Sequence, residues 1–140
     1  MKTFQEDGVT FSYPENWRLD REETENGWTA LVQSPQTAFV VVSYDPNMPT
    51  PAEMADTALE ALREEYSDLE AEPKVETLAG QPAVGYEVRF FSLDLTNTCW
   101  LRSLYADAGT VLVMCQCTDL ELEQNEPVLR AICASLRVEE

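Results

Sequence analysis

Two short runs in this sequence are apolar at nearly every position: AFVVVSY over residues 38–44 and VLVMC over residues 111–115. Side chains of a β-strand point alternately to the two faces of a sheet, so a strand that is apolar throughout must be shielded from water on both faces. Each run therefore predicts an interior strand that is covered from both sides. A fold for this chain has to supply two covering layers.

The first strands are expected near the N-terminus. Val9–Tyr13 and Trp17–Leu19 have alternating patterns and are separated by Pro14-Glu15-Asn16, which is typical of a turn. We interpret them as a tight β-hairpin that opens the domain.

Asn26-Gly27 is a strong signal for a two-residue hairpin turn. With that turn, Arg21 lies opposite Val32 and Leu19 lies opposite Ser34. This register collects apolar side chains on one face of the strand pair. They are Trp17, Leu19, Trp28, Ala30 and Val32.

Two helices provide the covering layers. Thr50-Pro51-Ala52-Glu53 contains an N-cap threonine, a proline at the first helical position and a glutamate three residues after the cap, which predicts a helix over residues 51–66. A second helix is predicted over residues 127–136, with Leu120 and Leu122 extending it upstream through a kink at Pro127.

Between the helices the pattern is that of four more strands, over residues 74–79, 82–92, 96–106 and 110–118. If Asp107-Ala108-Gly109 is a three-residue loop, Cys99 lies opposite Cys117 and Leu101 lies opposite Cys115. All four cysteines, these three and Cys133, fall in apolar stretches. We expect them to be reduced thiols that pack as small core residues.

The predicted order is four strands, a helix, four strands and a helix. Since both sheet faces need a cover, we expect an α+β sandwich with an antiparallel sheet of six or more strands between helices. A length of 140 residues fits one domain over residues 1–140.

The order and character of these segments resemble the PsbP-like fold, and within it the bacterial DcrB-like family. The similar parts are DGVTFSYPENW, AFVVVSYDP, TPAEMA and the closing stretch GTVLVMCQCTDLELEQNEPVLRAICASLRV. Known members of the fold include an extrinsic photosystem subunit, a Ran GTPase-binding regulator and chaperones for type VI secretion effectors. The resemblance implies a binding scaffold, and it carries no catalytic residues to transfer.

The residues themselves argue against an enzyme. The sequence contains no histidine, the usual base for a cysteine or serine nucleophile. Glu87 is the one acid set between strongly apolar runs, and we expect it to point outward, with Arg89 or solvent as its partner. The acidic stretch of residues 20–25 lacks the calcium-loop pattern, and the cysteine spacing fits no zinc site, so we expect neither metal nor cofactor.

The charge balance constrains the partner. There are 26 acidic and 9 basic residues, which gives a formal net charge of −17. Such a surface repels nucleic acids and anionic lipids and favours a basic protein. No leader or apolar span is recognisable, so we expect a cytoplasmic protein that does not insert into membranes and is a monomer or homodimer.

Two functions remain open: a protein-binding module of the adaptor or chaperone type, or a small-ligand binder with a pocket between sheet and helix. Leu93-Asp94-Leu95 is a candidate partner-binding tip, because apolar residues are unusual where two long strands connect. The alternative is that both leucines tuck beneath a helix. Trp100 and Arg102, which share a strand face, are the second candidate site.

Overall fold

The computed structural model describes residues 1–139, which form ten β-strands and two α-helices. The strands are β1 (Lys2–Glu6), β2 (Val9–Tyr13), β3 (Arg18–Glu23), β4 (Trp28–Gln33), β5 (Phe39–Asp45), β6 (Glu70–Leu78), β7 (Gln81–Ser92), β8 (Leu95–Tyr105), β9 (Thr110–Thr118) and β10 (Arg137–Val138). The helices are α1 (Pro51–Glu65) and α2 (Leu122–Ala134).

The described strands pair entirely antiparallel, in two sheets. A seven-stranded sheet has the order β3-β4-β5-β9-β8-β7-β6, and a three-stranded sheet has the order β1-β2-β10. The two runs that are apolar on both faces, β5 and β9, are interior strands of the large sheet, as the sequence predicted, and they are also neighbours there. The expectation of an α+β sandwich with helices on both faces is confirmed.

One face of the large sheet is covered by α1, which lies across β7, β8 and β9. The predicted capping box is present: the Glu53 backbone N–H donates to Thr50 Oγ1 at 3.1 Å, and the Glu53 carboxylate accepts from the Thr50 backbone N–H. Leu59 of the helix packs on Val88, Phe90 and Leu101 of the sheet.

The opposite face is covered by α2 and by the three-stranded sheet. Leu129 and Ile132 of α2 share one buried cluster with Phe11 of β2 and with Val40 and Val42 of β5. Because α1 lies over β7–β9 and not over β5, the second face of β5 is only half-buried. The prediction that both runs are fully covered therefore holds better for β9 than for β5.

The predicted opening hairpin is wrong. β2 pairs with β1 through Asp7-Gly8, both in the left-handed region (φ +51° and +78°), whereas β3 belongs to the other sheet. Asp-Gly is a strong turn signal of its own, and the preceding strand was overlooked because Lys2–Glu6 is mostly polar and exposed.

The Asn26-Gly27 turn is also corrected. Residues 24–27 form a four-residue loop closed by the Thr24 backbone N–H and the Gly27 carbonyl (3.0 Å), so Arg21 lies opposite Ala30 rather than Val32. Leu19 correspondingly lies opposite Val32 rather than Ser34. A shift of two residues leaves every side chain on its predicted face, and Trp28, Ala30 and Val32 are indeed buried.

The predicted register between β8 and β9 differs from the observed one by one residue. The loop has four residues, closed by the Ala106 N–H and the Gly109 carbonyl at 2.8 Å, so Cys99 lies opposite Gln116 and Trp100 opposite Cys115. An odd shift moves a side chain to the other face. Cys99 packs under α1 and Cys117 on the opposite face, and the predicted cross-strand pair of Cys99 and Cys117 is wrong.

Candidate functional site

The tip of the β7–β8 hairpin is the most unusual feature of the surface. Ser92 pairs with Leu95, so Leu93 and Asp94 alone form the turn, with φ of +53° and +63°. These angles fit a turn whose two central residues are both left-handed. The side chain of Leu93 is 93% exposed.

Leucine is poorly suited to this position. The left-handed conformation brings the Cβ of an L-residue close to the following carbonyl, which costs roughly 1–2 kcal/mol. The turns Asp7-Gly8 and Ala79-Gly80 adopt similar angles and each includes a glycine. The Leu93-Asp94 turn contains no glycine, and the Leu93 side chain is not buried to an extent that would offset this strain.

A second exposed side chain, an aromatic one, lies beside the tip. Phe91 is 62% exposed and belongs to the same face of β7 as Glu87 and Arg89, the face on which α2 lies. Leu95, the third predicted residue of the tip, starts β8 and is half-buried. The tip therefore presents Leu93 and Phe91 to solvent. Sequence reasoning missed Phe91, although the alternation of β7 places it with the charged residues of that strand.

Trp100 and Arg102 lie in a cleft between α2 and strands β6–β9. They are only 7% and 4% exposed, so they form the floor of the cleft and not a flat contact surface. The deeper part of the cleft has a volume of about 220 Å³. Its walls are formed by residues of the sheet and the helix, among them Leu78, Trp100, Arg102, Val113, Leu129 and Cys133.

Arg102 is held by a network of acceptors. Its Nε donates to Glu76 Oε1 at 2.6 Å, and its Nη1 donates to the carbonyls of Tyr86 (3.2 Å) and Leu101 (3.0 Å). Glu87 lies 3.6 Å from Nη2, so Glu87 faces the cleft and pairs with Arg102, contrary to the expectation that it points outward to Arg89 or solvent. A buried guanidinium that is fully paired in this way is a structural feature of the floor.

Gly85 allows β7 and β8 to approach each other closely beside Arg102. It lies opposite Arg102 in the β7–β8 register, and a Cβ on Gly85 would lie 1.7 Å from the Leu101 carbonyl oxygen. The close approach of the two strands at this point therefore requires glycine.

The outer part of the cleft is acidic. A cavity of about 310 Å³ continues toward the hairpin tip and shares Trp100 and Arg130 with the deeper part. The guanidinium of Arg130, on α2, lies 5.2 Å from the centre of the Trp100 ring, a cation–π contact. Carboxylates outnumber cations around the opening, which is lined by Glu70, Glu72, Glu87 and Glu126 and by Arg89 and Arg130.

The two predicted sites lie apart but on one side of the protein. Trp100 is five residues from Leu95 along β8, which corresponds to about 17 Å in a strand. Arg89 and Phe91 of the neighbouring strand lie on the intervening surface. The tip, the acidic opening and the cleft floor thus form a continuous strip along β7 and β8.

Metal ligands, helix lengths and thiol pKa values complete the description of the site's surroundings. Residues 1–139 contain no group of three metal-binding side chains arranged to hold an ion. Within the same residues, neither helix is both long and apolar enough to cross a bilayer. Burial raises the pKa of the Cys99 thiol to about 12 and that of Cys117 to about 11, which suppresses their nucleophilicity.

Comparison with known proteins informs the fold. No family model matches the sequence, and no curated protein matches it. Among solved structures, cyanobacterial PsbP (CyanoP) from Synechocystis sp. PCC 6803 superposes with a TM-score of 0.68 at 12% identity, over 99% of this chain and 92% of that one.

Two further structures are similar. LpqN of Mycobacterium tuberculosis, described as involved in cell envelope biogenesis, has a TM-score of 0.60 at 13% identity, over 94% of this chain and 83% of that one. The Pseudomonas aeruginosa protein PA94, of unknown function, has a TM-score of 0.60 at 13% identity, over 100% and 98% of the two chains. At these identities the likeness shows the fold alone: this chain has the PsbP-like fold.

Proposed function

We propose that this protein is a non-catalytic protein-binding module, of the adaptor or chaperone type, which contacts its partner through the tip of the β7–β8 hairpin. The observation that carries the proposal is Leu93, an exposed leucine in the left-handed region of a two-residue turn. Asparagine or glycine at this position would give a more stable turn than leucine does. A local rule that is broken without gain to the fold points to a role in function.

The surroundings of the tip suggest the nature of the partner. Leu93 and Phe91 offer an apolar contact, and next to them lies the acidic opening formed by Glu70, Glu72 and Glu87. The whole chain carries a net charge of −17. An apolar centre with a charged rim is typical of protein interfaces, and the charge would steer a basic partner toward the tip. The cytoplasm is the compartment that we propose for this encounter, and a monomer or homodimer is the form.

A small-ligand binder is the second candidate, and the cleft beneath α2 is the observation in its favour. Trp100, Leu78, Val113 and Leu129 give the deeper cavity an apolar lining. The deeper cavity alone, at about 220 Å³, lies below the roughly 300–1,000 Å³ typical of ligand pockets, and the outer cavity of about 310 Å³ that adjoins it is lined mainly by charged residues. Arg102 is already paired with Glu76, so it is not free for an anionic ligand. The geometry therefore favours the protein-binding function.

The test is a capture experiment with the full chain immobilised in lysate of the source cells, at low and high salt. Leu93→Ala removes the apolar side chain at the tip. Leu120→Ala is the matched control, since Leu120 is 79% exposed and precedes α2. A partner that binds the native chain and Leu120→Ala, is lost with Leu93→Ala and weakens at high salt supports the proposal.

Two other outcomes would contradict it. If Leu93→Ala captures the partner as well as the native chain does, the tip does not form the interface. If no protein is retained but a small molecule co-purifies and raises the melting temperature, the protein is a ligand binder. Trp100→Ala is the variant that separates these two functions, because it alters the cleft and leaves the tip in place.

A further inference from the structure

Cys115 and Cys133 bring two thiols together at the wall of the cleft. Cys115 is on β9 and Cys133 is on α2, and their sulfurs are 3.4 Å apart. This pair joins the sheet to the helix, and it differs from the cross-strand pair predicted from the sequence. All four thiols of the described chain are free.

The two sulfurs are close to bonding distance. A disulfide bond is about 2.05 Å long, so the two sulfurs, 3.4 Å apart, must approach by about 1.4 Å to bond. Cys133 is also accessible. It is half-buried, and it borders both the cleft and a second cavity of about 530 Å³ that opens beside Gly80 and Arg137.

The surroundings make Cys133 the more reactive of the two. The Cys115 thiol is hydrogen-bonded to the Cys133 sulfur, which lowers the pKa of Cys133, and the guanidinium groups of Arg102 and Arg130 lower it further against the opposing effects of burial and of Glu76. The same hydrogen bond and burial raise the pKa of Cys115. A partly exposed thiol of lowered pKa beside a second thiol is the arrangement of attacking and resolving cysteines.

We propose that Cys133 and Cys115 form a reversible redox modification site whose oxidant is a low-molecular-weight disulfide. The Cys133 thiolate attacks one sulfur of the oxidant, which forms a mixed disulfide and releases one thiolate. That thiolate takes the proton of Cys115. The Cys115 thiolate then attacks the Cys133 sulfur, forms the protein disulfide and releases the second small thiolate, which takes up the proton that Cys133 had lost to solvent. Two protein thiols are oxidised, and one small disulfide is reduced to two thiols.

The site does not depend on the proposed binding function. In a reducing compartment the pair remains a dithiol until the small-molecule disulfide accumulates. Oxidation then ties α2 to β9 at the wall of the cleft. The bond closes a loop of residues 115–133, and because a closed loop restricts the unfolded chain, the bond stabilises the folded state.

The experiment uses the full chain and oxidised glutathione as the probe. Free thiols are counted after denaturation, and the bridge is located by non-reducing peptide mapping. We expect the count to fall from four to two, the bridge to join Cys115 to Cys133, and reduced glutathione to reverse it. Cys117→Ser is the matched control, and it should lose two of its three thiols in the same way.

Two variants test the roles of the partners. Cys115→Ser should accumulate one glutathione adduct on Cys133, because the resolving thiol is missing, whereas Cys133→Ser should retain its three thiols. The proposal is overturned if four thiols persist in the native chain under conditions that oxidise dithiothreitol, or if the bridge maps to Cys99 or Cys117. Mapping of the native chain decides the question even where a variant fails to fold.

Discussion

Replacing Leu93-Asp94 by Asn-Gly is expected to stabilise the fold and abolish partner binding. The left-handed backbone of the native leucine costs roughly 1–2 kcal/mol, most of which asparagine relieves. Leu93 is 93% exposed, and full burial of a leucine stabilises by about 1.5–3 kcal/mol, so removing this side chain sacrifices only about 0.2 kcal/mol of burial. Asp94→Gly adds little, because relief of strain is offset by about 0.5–1 kcal/mol of unfolded-chain entropy.

The net expectation is about 1 kcal/mol of added stability. For a domain of this size that corresponds to about 3 °C in melting temperature. Urea denaturation should show a higher midpoint with an unchanged slope, since the surface exposed on unfolding is the same. The same variant should no longer bind the partner that the native chain captures.

Leu93→Ala is the control that separates the two effects. It removes the apolar side chain but keeps a non-glycine residue in the left-handed turn, so binding is abolished and stability stays within about 0.5 kcal/mol of the native value. An Asn-Gly variant that is less stable than the native chain by about 1 kcal/mol or more would refute this reasoning. Leu93 would then contribute to packing, and its conformation would need no functional explanation.

Three further predictions concern the scaffold. Gly85→Ala places a Cβ 1.7 Å from the Leu101 carbonyl, so we expect stability in urea denaturation to fall by at least about 2 kcal/mol, and a near-native stability would contradict the close approach of the strands. Thr50→Ala removes the capping bond to Glu53 and should cost about 1 kcal/mol, whereas Thr50→Ser should cost far less. Burial raises the pKa of Cys99 to about 12, above the roughly 8.5 of an unfolded thiol. The unfolded state therefore ionises first, and stability should fall above about pH 8.5, by roughly 2 kcal/mol at pH 10 from this thiol. Cys99→Ala under reducing conditions should flatten that decline, and an unchanged decline would assign it to other groups.

Local signals in the sequence predicted the parts of the fold that depend on near neighbours. The capping box at Thr50 placed the start of α1 correctly, and the doubly apolar runs identified β5 and β9 as interior strands. At residues 24–27 the predicted register differs from the observed one by two residues, so each side chain keeps its predicted sheet face. At residues 106–109 the predicted register differs by one residue, so opposing side chains are assigned to the wrong sheet faces. The number of residues in the loop sets the register of the two strands, and a turn motif in the sequence predicts this number only approximately.

The candidate site was only partly predictable for the same reason. The leucines near residue 93 were visible as apolar residues in a connection. The backbone conformation that makes Leu93 unusual depends on whether the turn has two residues or three. The pairing of Cys115 with Cys133 joins a strand to a helix, and no local pattern reports such a contact. Arg130 reaches Trp100 through the same packing of α2 on the sheet.

Photo-crosslinking tests most directly whether the hairpin tip contacts a protein. A photoreactive amino acid is placed at position 93 in one variant and at position 120 in another, and both are irradiated in lysate of the source cells. We expect position 93 to form a discrete crosslink to a basic protein that position 120 does not form, with a yield that falls at high salt. Equal crosslinking at both positions, or none at position 93 while the native chain still captures its partner, would contradict a binding role for the tip.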